Sequence, residues 1–215
     1  LAEDPNPRVR FQCALSLGVS ADERVVPALV RIVTQNLDDK WTRAAVLSAI
    51  AQHEDKFLHA LLPVMADKPS GSFPALMGEL GRILGASLAQ PKLLPVMREL
   101  SAGSRPENLA WQMAAMGGLG EGLRARGLGS KDTPALLSLV KEDAANLSMQ
   151  LAGLFQRSAG LALDGQRPLA DRLAAVSLLA EGDFALAGAT LEKLIEPQQP
   201  GEIQSAAIRA LSRMV

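Results

Sequence analysis

The sequence predicts an all-α fold: about six helical hairpins stacked as a right-handed α-α superhelix, with residues 1–215 forming a single domain. Three observations predict it. Helix-type apolar patterns recur in pairs at steps of 32 to 35 residues, and a fixed period in that range marks stacked supersecondary units. Apolar residues make up 48% of the chain but aromatics only 3%, with no Tyr. The core material is therefore mostly Ala and Leu, good helix formers that let helices approach closely. No segment shows the alternating Val, Ile, Thr and Tyr runs of a sandwich or barrel.

The first helix is expected over residues 7–18, with Asp4-Pro5 as capping acid and helix-start proline and Gly18 as the stop. Its partner follows over 22–33. The second pair reads 39–51 and 56–66, and the third 76–85 and 91–100. A fourth reads 111–120 and 133–141. Taking Val9, Thr42, Leu76 and Trp111 as equivalent gives steps of 33, 34 and 35 residues. The pattern resumes with 171–180 and 184–195, and again from residue 203. Between them the register breaks. A helical stretch over 144–163 fills the gap, either as a first helix with a stunted partner or as an extra helix, so the repeat near 144–168 is irregular.

Each hairpin exposes an apolar face that only a stacked neighbour covers. Ala14, Ala45, Ala115, Ala175 and Ala207 sit within first helices, where small side chains permit that approach. Because the chain opens and closes inside helical patterns, it is expected to be a fragment of a longer protein with uncapped ends.

The first-helix pattern is Asp, then Val-Arg, then small residues four and five on, then Leu-Gly. Asp4, Val9-Arg10, Cys13-Ala14 and Leu17-Gly18 keep it in full. Asp39, Arg43 and Ile50 keep it in part, and later repeats lose the Asp and Arg. These residues resemble HEAT repeats, a family of armadillo-like α-solenoids, over nearly the whole chain. The resemblance implies architecture rather than activity. Residues 4–18, 117–129 and 172–211, and most of all 196–207, resemble the HEAT segment of large planctomycete and verrucomicrobial putative membrane-bound dehydrogenases. Those place such a segment between a β-propeller and a haem c domain. This resemblance implies an exported, periplasmic or membrane-associated parent in which the present chain is an interdomain spacer. The chain itself contains no CxxCH for haem attachment.

With 22 basic and 23 acidic residues the formal charge is −1. No basic stripe of the kind that tracks a nucleic-acid backbone is evident, so no nucleic-acid partner is expected. No apolar run reaches the length of a membrane span. The one cysteine, Cys13, excludes an internal disulfide and reads as a buried small hydrophobe.

No pattern for catalysis, metal or cofactor stands out. His53 and His59 are six apart, off the three- or four-residue spacing of one helix face, and read as a solvated pair. Carboxylates gather at helix starts (Asp4, Asp22, Glu23, Asp39, Glu54, Asp55, Asp132, Asp183), where they cap free N–H groups. The cluster Gly117, Gly118, Gly120, Gly122, Gly127, Gly129 reads as a helix-termination loop. A small anion site beside Arg124 and Arg126 is the alternative. Arg10 and Arg43 share a repeat position and read as making helix-start and inter-repeat hydrogen bonds, with partner recognition as the alternative. Trp41 and Trp111 read as core or inter-repeat packing residues rather than exposed anchors, with Trp41 close enough to its helix start to be partly exposed.

The expected function is a non-catalytic interaction or interdomain scaffold module, with a protein partner or flanking domains of the same chain. HEAT geometry would place its concave face on second helices. The polar candidates there are Arg24, Arg31, Lys56, His59, Lys92, Arg98 and Lys141, with Gln35 and Lys131 beside them. Most are basic, with the compensating acids expected elsewhere, which would suit an acidic partner surface.

Overall fold

The computed structural model describes residues 1–65, 71–102, 108–130, 133–141 and 146–214, the side chain of Lys141 excepted. Among the described residues it is all-helical and has no strand. Twelve α-helices run in order: α1 (Pro7–Leu17), α2 (Val26–Gln35), α3 (Lys40–Ala49), α4 (Glu54–Met65), α5 (Phe73–Ser87) and α6 (Gln90–Ser101). Then come α7 (Leu109–Ala125), α8 (Ala135–Lys141), α9 (Asn146–Leu163), α10 (Leu169–Leu179), α11 (Phe184–Leu194) and α12 (Gly201–Met214). A short 3-10 turn, Glu23–Val25, leads into α2. The chain divides into two compact units, Leu1–Leu76 and Met77–Val215.

In the first unit, helix starts follow local chemistry. The cap of α1 is Asn6, whose side chain accepts from Arg8 N, and Pro7 is the first helical residue. Asp4, expected as the cap, instead accepts from Asn6 N, one turn-residue upstream. Asp39 caps α3 by accepting from the main-chain N–H groups of Trp41 and Thr42. Helix α1 packs on α3 and α2 on α4, with α2 also touching α1 and α3. Leu29, Ile32, Ile50, Phe57, Leu58 and Leu61 are fully buried between them, each contributing roughly 1.5–3 kcal/mol of hydrophobic stabilisation.

In the second unit α7 and α10 pack directly together, and α10 in turn packs on α12. Helix α9 contacts α6, α10 and α11, as α2 contacts α4 and α3 in the first unit. The seven-residue α8 packs on α7 and α9.

Four glycines of the expected termination loop lie inside α7 instead. The reason is close approach on two sides. Toward α5, a Cβ on Gly118 would stand 2.1 Å from Gly78 O, and one on Gly122 would stand 2.2 Å from Arg82 O. Reciprocally, a Cβ on Gly81 would meet Ala115 O at 2.1 Å and one on Gly85 would meet Leu119 O at 2.2 Å. The two backbones touch with no side chain between them. Toward α10, Gly117 faces Ser177 and Leu178. Each glycine costs helix propensity, and packing overrides that cost. Only Gly127 and Gly129, with φ of 78° and 82°, lie in a turn that needs left-handed backbone.

The fourth residue of five helices shares one task. Arg43 Nη1 donates to Leu37 O at 2.8 Å, just past the end of α2. Gln112 Nε2 donates to Leu100 O and Ala102 O at 3.0 and 2.9 Å, at the end of α6. Arg172 Nε donates to Ala162 O at 2.8 Å in α9, and Gln204 Nε2 to Glu196 O at 2.8 Å beyond α11. Arg10 Nη1 donates to Asp4 O at 2.5 Å, on the segment before α1. The last carbonyls of a helix lack intrahelical donors, and here the next helix supplies them. Arg10 and Arg172 also reach forward: Arg10 Nη2 to Asn36 Oδ1 at 2.6 Å, and Arg172 Nη2 to Gln199 Oε1. The expected hydrogen-bonding role of Arg10 and Arg43 therefore extends to Gln112, Arg172 and Gln204.

Candidate functional site

A concavity in the second unit lies where α7, α10 and α12 end. Its centre is Glu181, in the turn from α10 to α11, with a buried side chain. The turn forms because Glu181 N and Gly182 N donate to Leu178 O and Leu179 O at the end of α10. Arg124, in the last turn of α7, donates through Nη1 to both Glu181 oxygens. Arg213, near the end of α12, places Nη1 3.8 Å from Glu181 Oε1. Cations in the last turn of a helix are favoured by its dipole. Both guanidiniums remain partly exposed, at 39% and 40%, whereas the carboxylate side chain is 6% exposed.

Burial pushes the Glu181 carboxyl above its usual range, and Arg124 and Arg213 oppose that shift by favouring the charged form. A cleft of about 220 Å³ opens beside the cluster, walled by Leu128, Pro134, Ala135 and Met214 as well as by Arg124 and Arg213. A second cleft of about 150 Å³ lies on the other side of Glu181, where Glu121 and Arg209 join the lining. Arg126 is not available to either: its Nη1 donates to Gly85 O and Leu88 O at 3.2 and 2.5 Å.

The residues expected on a basic face are placed differently. In the first unit Arg24 pairs with Asp22 at 2.5 Å, Arg31 with Glu3 at 2.9 Å, and Lys56 with Glu23. The compensating acids are thus beside these cations, not elsewhere. The cause is local: Asp22 and Glu23 flank the short turn into α2, within reach of α2 and α4 side chains. The pairing lowers the Asp22 and Glu23 carboxyls, chiefly through the Arg24 and Lys56 hydrogen bonds, and raises Arg24 and Lys56 in turn. His59 is exposed on α4. Lys92 and Arg98 are exposed on α6 in the second unit. The side chain of Lys141, and all of Lys131 and Asp132, lie outside the described residues.

Three further expectations are corrected. His53 is buried, at 6% exposure, and neither ring nitrogen has a hydrogen-bond partner. Its main chain is held on both sides, His53 N donating to Ile50 O and His53 O accepting from Phe57 N. Cys13 is half-buried rather than buried. In α3 the equivalent residue, Val46, is fully covered. Trp41 is 66% exposed with Lys40 Nζ 5.1 Å over its ring, while Trp111 is buried as expected. Trp41 sits in the first turn of α3, before the helix meets its neighbours.

Among the described residues no group of three or more His, Cys, Asp and Glu could hold a metal ion, and no helix is long and apolar enough to cross a membrane. No protein-family model, curated protein or solved structure matches the chain. Of the cleft, the sequence had singled out only Arg124, beside the glycines. Glu181 and Arg213 carried no local signal.

Proposed function

We propose that the chain is a non-catalytic interaction or interdomain scaffold module, its hairpins stacked as a HEAT or armadillo-like right-handed superhelix. The supporting observation is the donor repeated at the fourth residue of α1, α3, α7, α10 and α12, each closing a neighbouring segment's carbonyls. Such a device joins consecutive hairpins by near-neighbour contacts, the organisation of repeat scaffolds. The partner surface in this reading uses exposed polar side chains on second helices and on the turn into α2: Arg24, Arg31, Lys56 and His59 in the first unit, and Lys92 and Arg98 in the second. Their pairs with Asp22, Glu3 and Glu23 are solvent-exposed, and exposed pairs are weak enough to exchange for a partner's acids.

The test is capture from an extract of the native organism by the chain and by a variant with Arg24, Arg31, Lys56 and Arg98 changed to Glu. Circular dichroism confirms that both are folded. A protein held by the native chain and lost by the variant supports the reading. Equal capture by both removes this surface from it. No capture by either favours the alternative, a spacer within an exported haem-containing sugar-dehydrogenase-like parent. That alternative rests on residues 196–207, which form the turn into α12 and the Gln204 bond to Glu196 O.

A further inference from the structure

We propose that the cleft between α7, α10 and α12 binds the C-terminal carboxylate of a partner polypeptide whose last side chain is apolar. The inference rests on the scaffold reading, to which it adds the chemistry of a partner. Three features of the cleft carry it.

The first is the sign of the charge a ligand meets. Glu181 lines the cleft too, but its side chain is only 6% exposed and Arg124 donates to both of its oxygens. Arg124 and Arg213 are partly exposed and spend only their Nη1 groups on it. Among the described residues that line this cleft, two guanidiniums stand against one carboxylate. Arg209 adds another guanidinium on the far side of Glu181, opposite Glu121. Arg213 Nε donates to Arg209 O at 3.0 Å, and a partly exposed guanidinium that lines a cleft is suited to a carboxylate, which accepts through both oxygens.

The second feature is that the charged end adjoins an apolar wall. Leu128, Pro134, Ala135 and Met214 line the same cleft as the two arginines. Leu128 is 38% exposed, a large apolar side chain left partly uncovered. A chain terminus carries its carboxylate and its side chain on one carbon, so both halves of the site are filled together. Capture of a terminal carboxylate is an established mode of peptide recognition.

The third feature is size. At about 220 Å³ the cleft falls below the ~300–1,000 Å³ typical of small-molecule pockets, which suits one terminal residue better than a cofactor. Glu181 serves as a positioning residue: it holds both guanidiniums in place before the ligand arrives, so less side-chain freedom is lost on binding.

The experiment uses a fluorescein-labelled pentapeptide ending in leucine, with a free terminal carboxylate or a terminal amide, followed by fluorescence polarisation. The free acid is expected to bind at least about tenfold more tightly than the amide. Arg213→Gln and Leu128→Glu should each weaken the acid about tenfold or more and bring it level with the amide, with the helical circular dichroism unchanged. Arg124 is left intact, since its loss would strand a buried carboxylate. Equal affinity of acid and amide, or no saturable binding of the acid up to about 1 mM, overturns the proposal. The variant with Arg24, Arg31, Lys56 and Arg98 changed to Glu should bind the peptide like the native chain. If extract capture succeeds while the peptide fails, the cleft assignment falls and the scaffold reading stands. If the peptide binds while extract capture fails, the assignment of the second-helix surface falls instead.

Discussion

Gly120 lies directly under the side chain of Glu181: a Cβ built on Gly120 would stand 2.5 Å from Glu181 Cγ and 2.7 Å from its Oε2. The helix backbone of α7 is thus the floor on which the buried carboxylate rests. Without that floor the carboxylate could not reach Arg124 while staying out of water.

Gly120→Ala should therefore displace Glu181 and lower stability by about 1–3 kcal/mol. Gly118→Ala should cost at least as much, because the obstacle there is the Gly78 carbonyl rather than a side chain. Gly160→Ala in α9 is the control. It is exposed and a Cβ there meets nothing within 4 Å, so the change should raise stability by roughly 0.5–1 kcal/mol through helix propensity. Urea unfolding of the three variants checks this. Equal shifts at 120 and 160 would sink the packing argument.

The fourth-residue donors give a second prediction. Arg172 is buried and bonded to Ala162 O and Gln199 Oε1. Arg172→Leu strands both acceptors and should cost about 1–3 kcal/mol. Arg172→Lys should restore little of it, since a point charge lacks the planar fork that serves two acceptors at once. Gln112→Leu, which strands Leu100 O and Ala102 O, should cost a comparable amount. Full rescue by Lys in thermal unfolding would show that charge, not geometry, sets the role of Arg172.

The pH response should separate two carboxylates by sign. Burial raises Glu181 above its ordinary value of 4.5, so the folded chain holds this proton more tightly than the unfolded one. Its contribution favours folding below 4.5 and is lost as pH rises through the folded value. Asp39 is the reverse. Its hydrogen bond from the Thr42 hydroxyl, above all, lowers it below 3.8, so its contribution is present above 3.8 and lost as pH falls through the folded value. Thermal midpoints between about pH 3 and about pH 7 test both. Relative to the native chain, Glu181→Gln should gain as pH rises, while Asp39→Asn should lose. A pH-independent offset for either variant would contradict the assigned shift.

Helices with local signals were legible in the sequence. Asp22, Asp39 and Asp183 cap the turns and helices they precede. The glycines of α7 were misread because four low-propensity residues within six positions argue locally for a loop. The competing signal lies elsewhere in the chain: Gly78, Gly81 and Gly85 on α5 mirror Gly118 and Gly122 at helical spacing. Glu181 was invisible for a similar reason, standing 57 residues from Arg124 with no periodicity linking them. Arg10 and Arg43 were readable as a recurring position, but Gln112 and Gln204 were not, because an amide performs the task of a guanidinium there. Cys13 and His53 depended on which neighbour covers which side of a helix, and that is decided only in three dimensions.

The carbonyls that end α6 and α9, and those just beyond α2 and α11, are completed by side chains from the helix that follows. The unit that repeats in the sequence and the unit that completes its own polar groups are therefore out of phase by one helix. A hairpin cut at its natural sequence boundary leaves an open main-chain edge behind it as well as an uncovered apolar face. Duplicating or deleting a hairpin in this chain preserves that closure only if the cut falls after the fourth residue of the next helix.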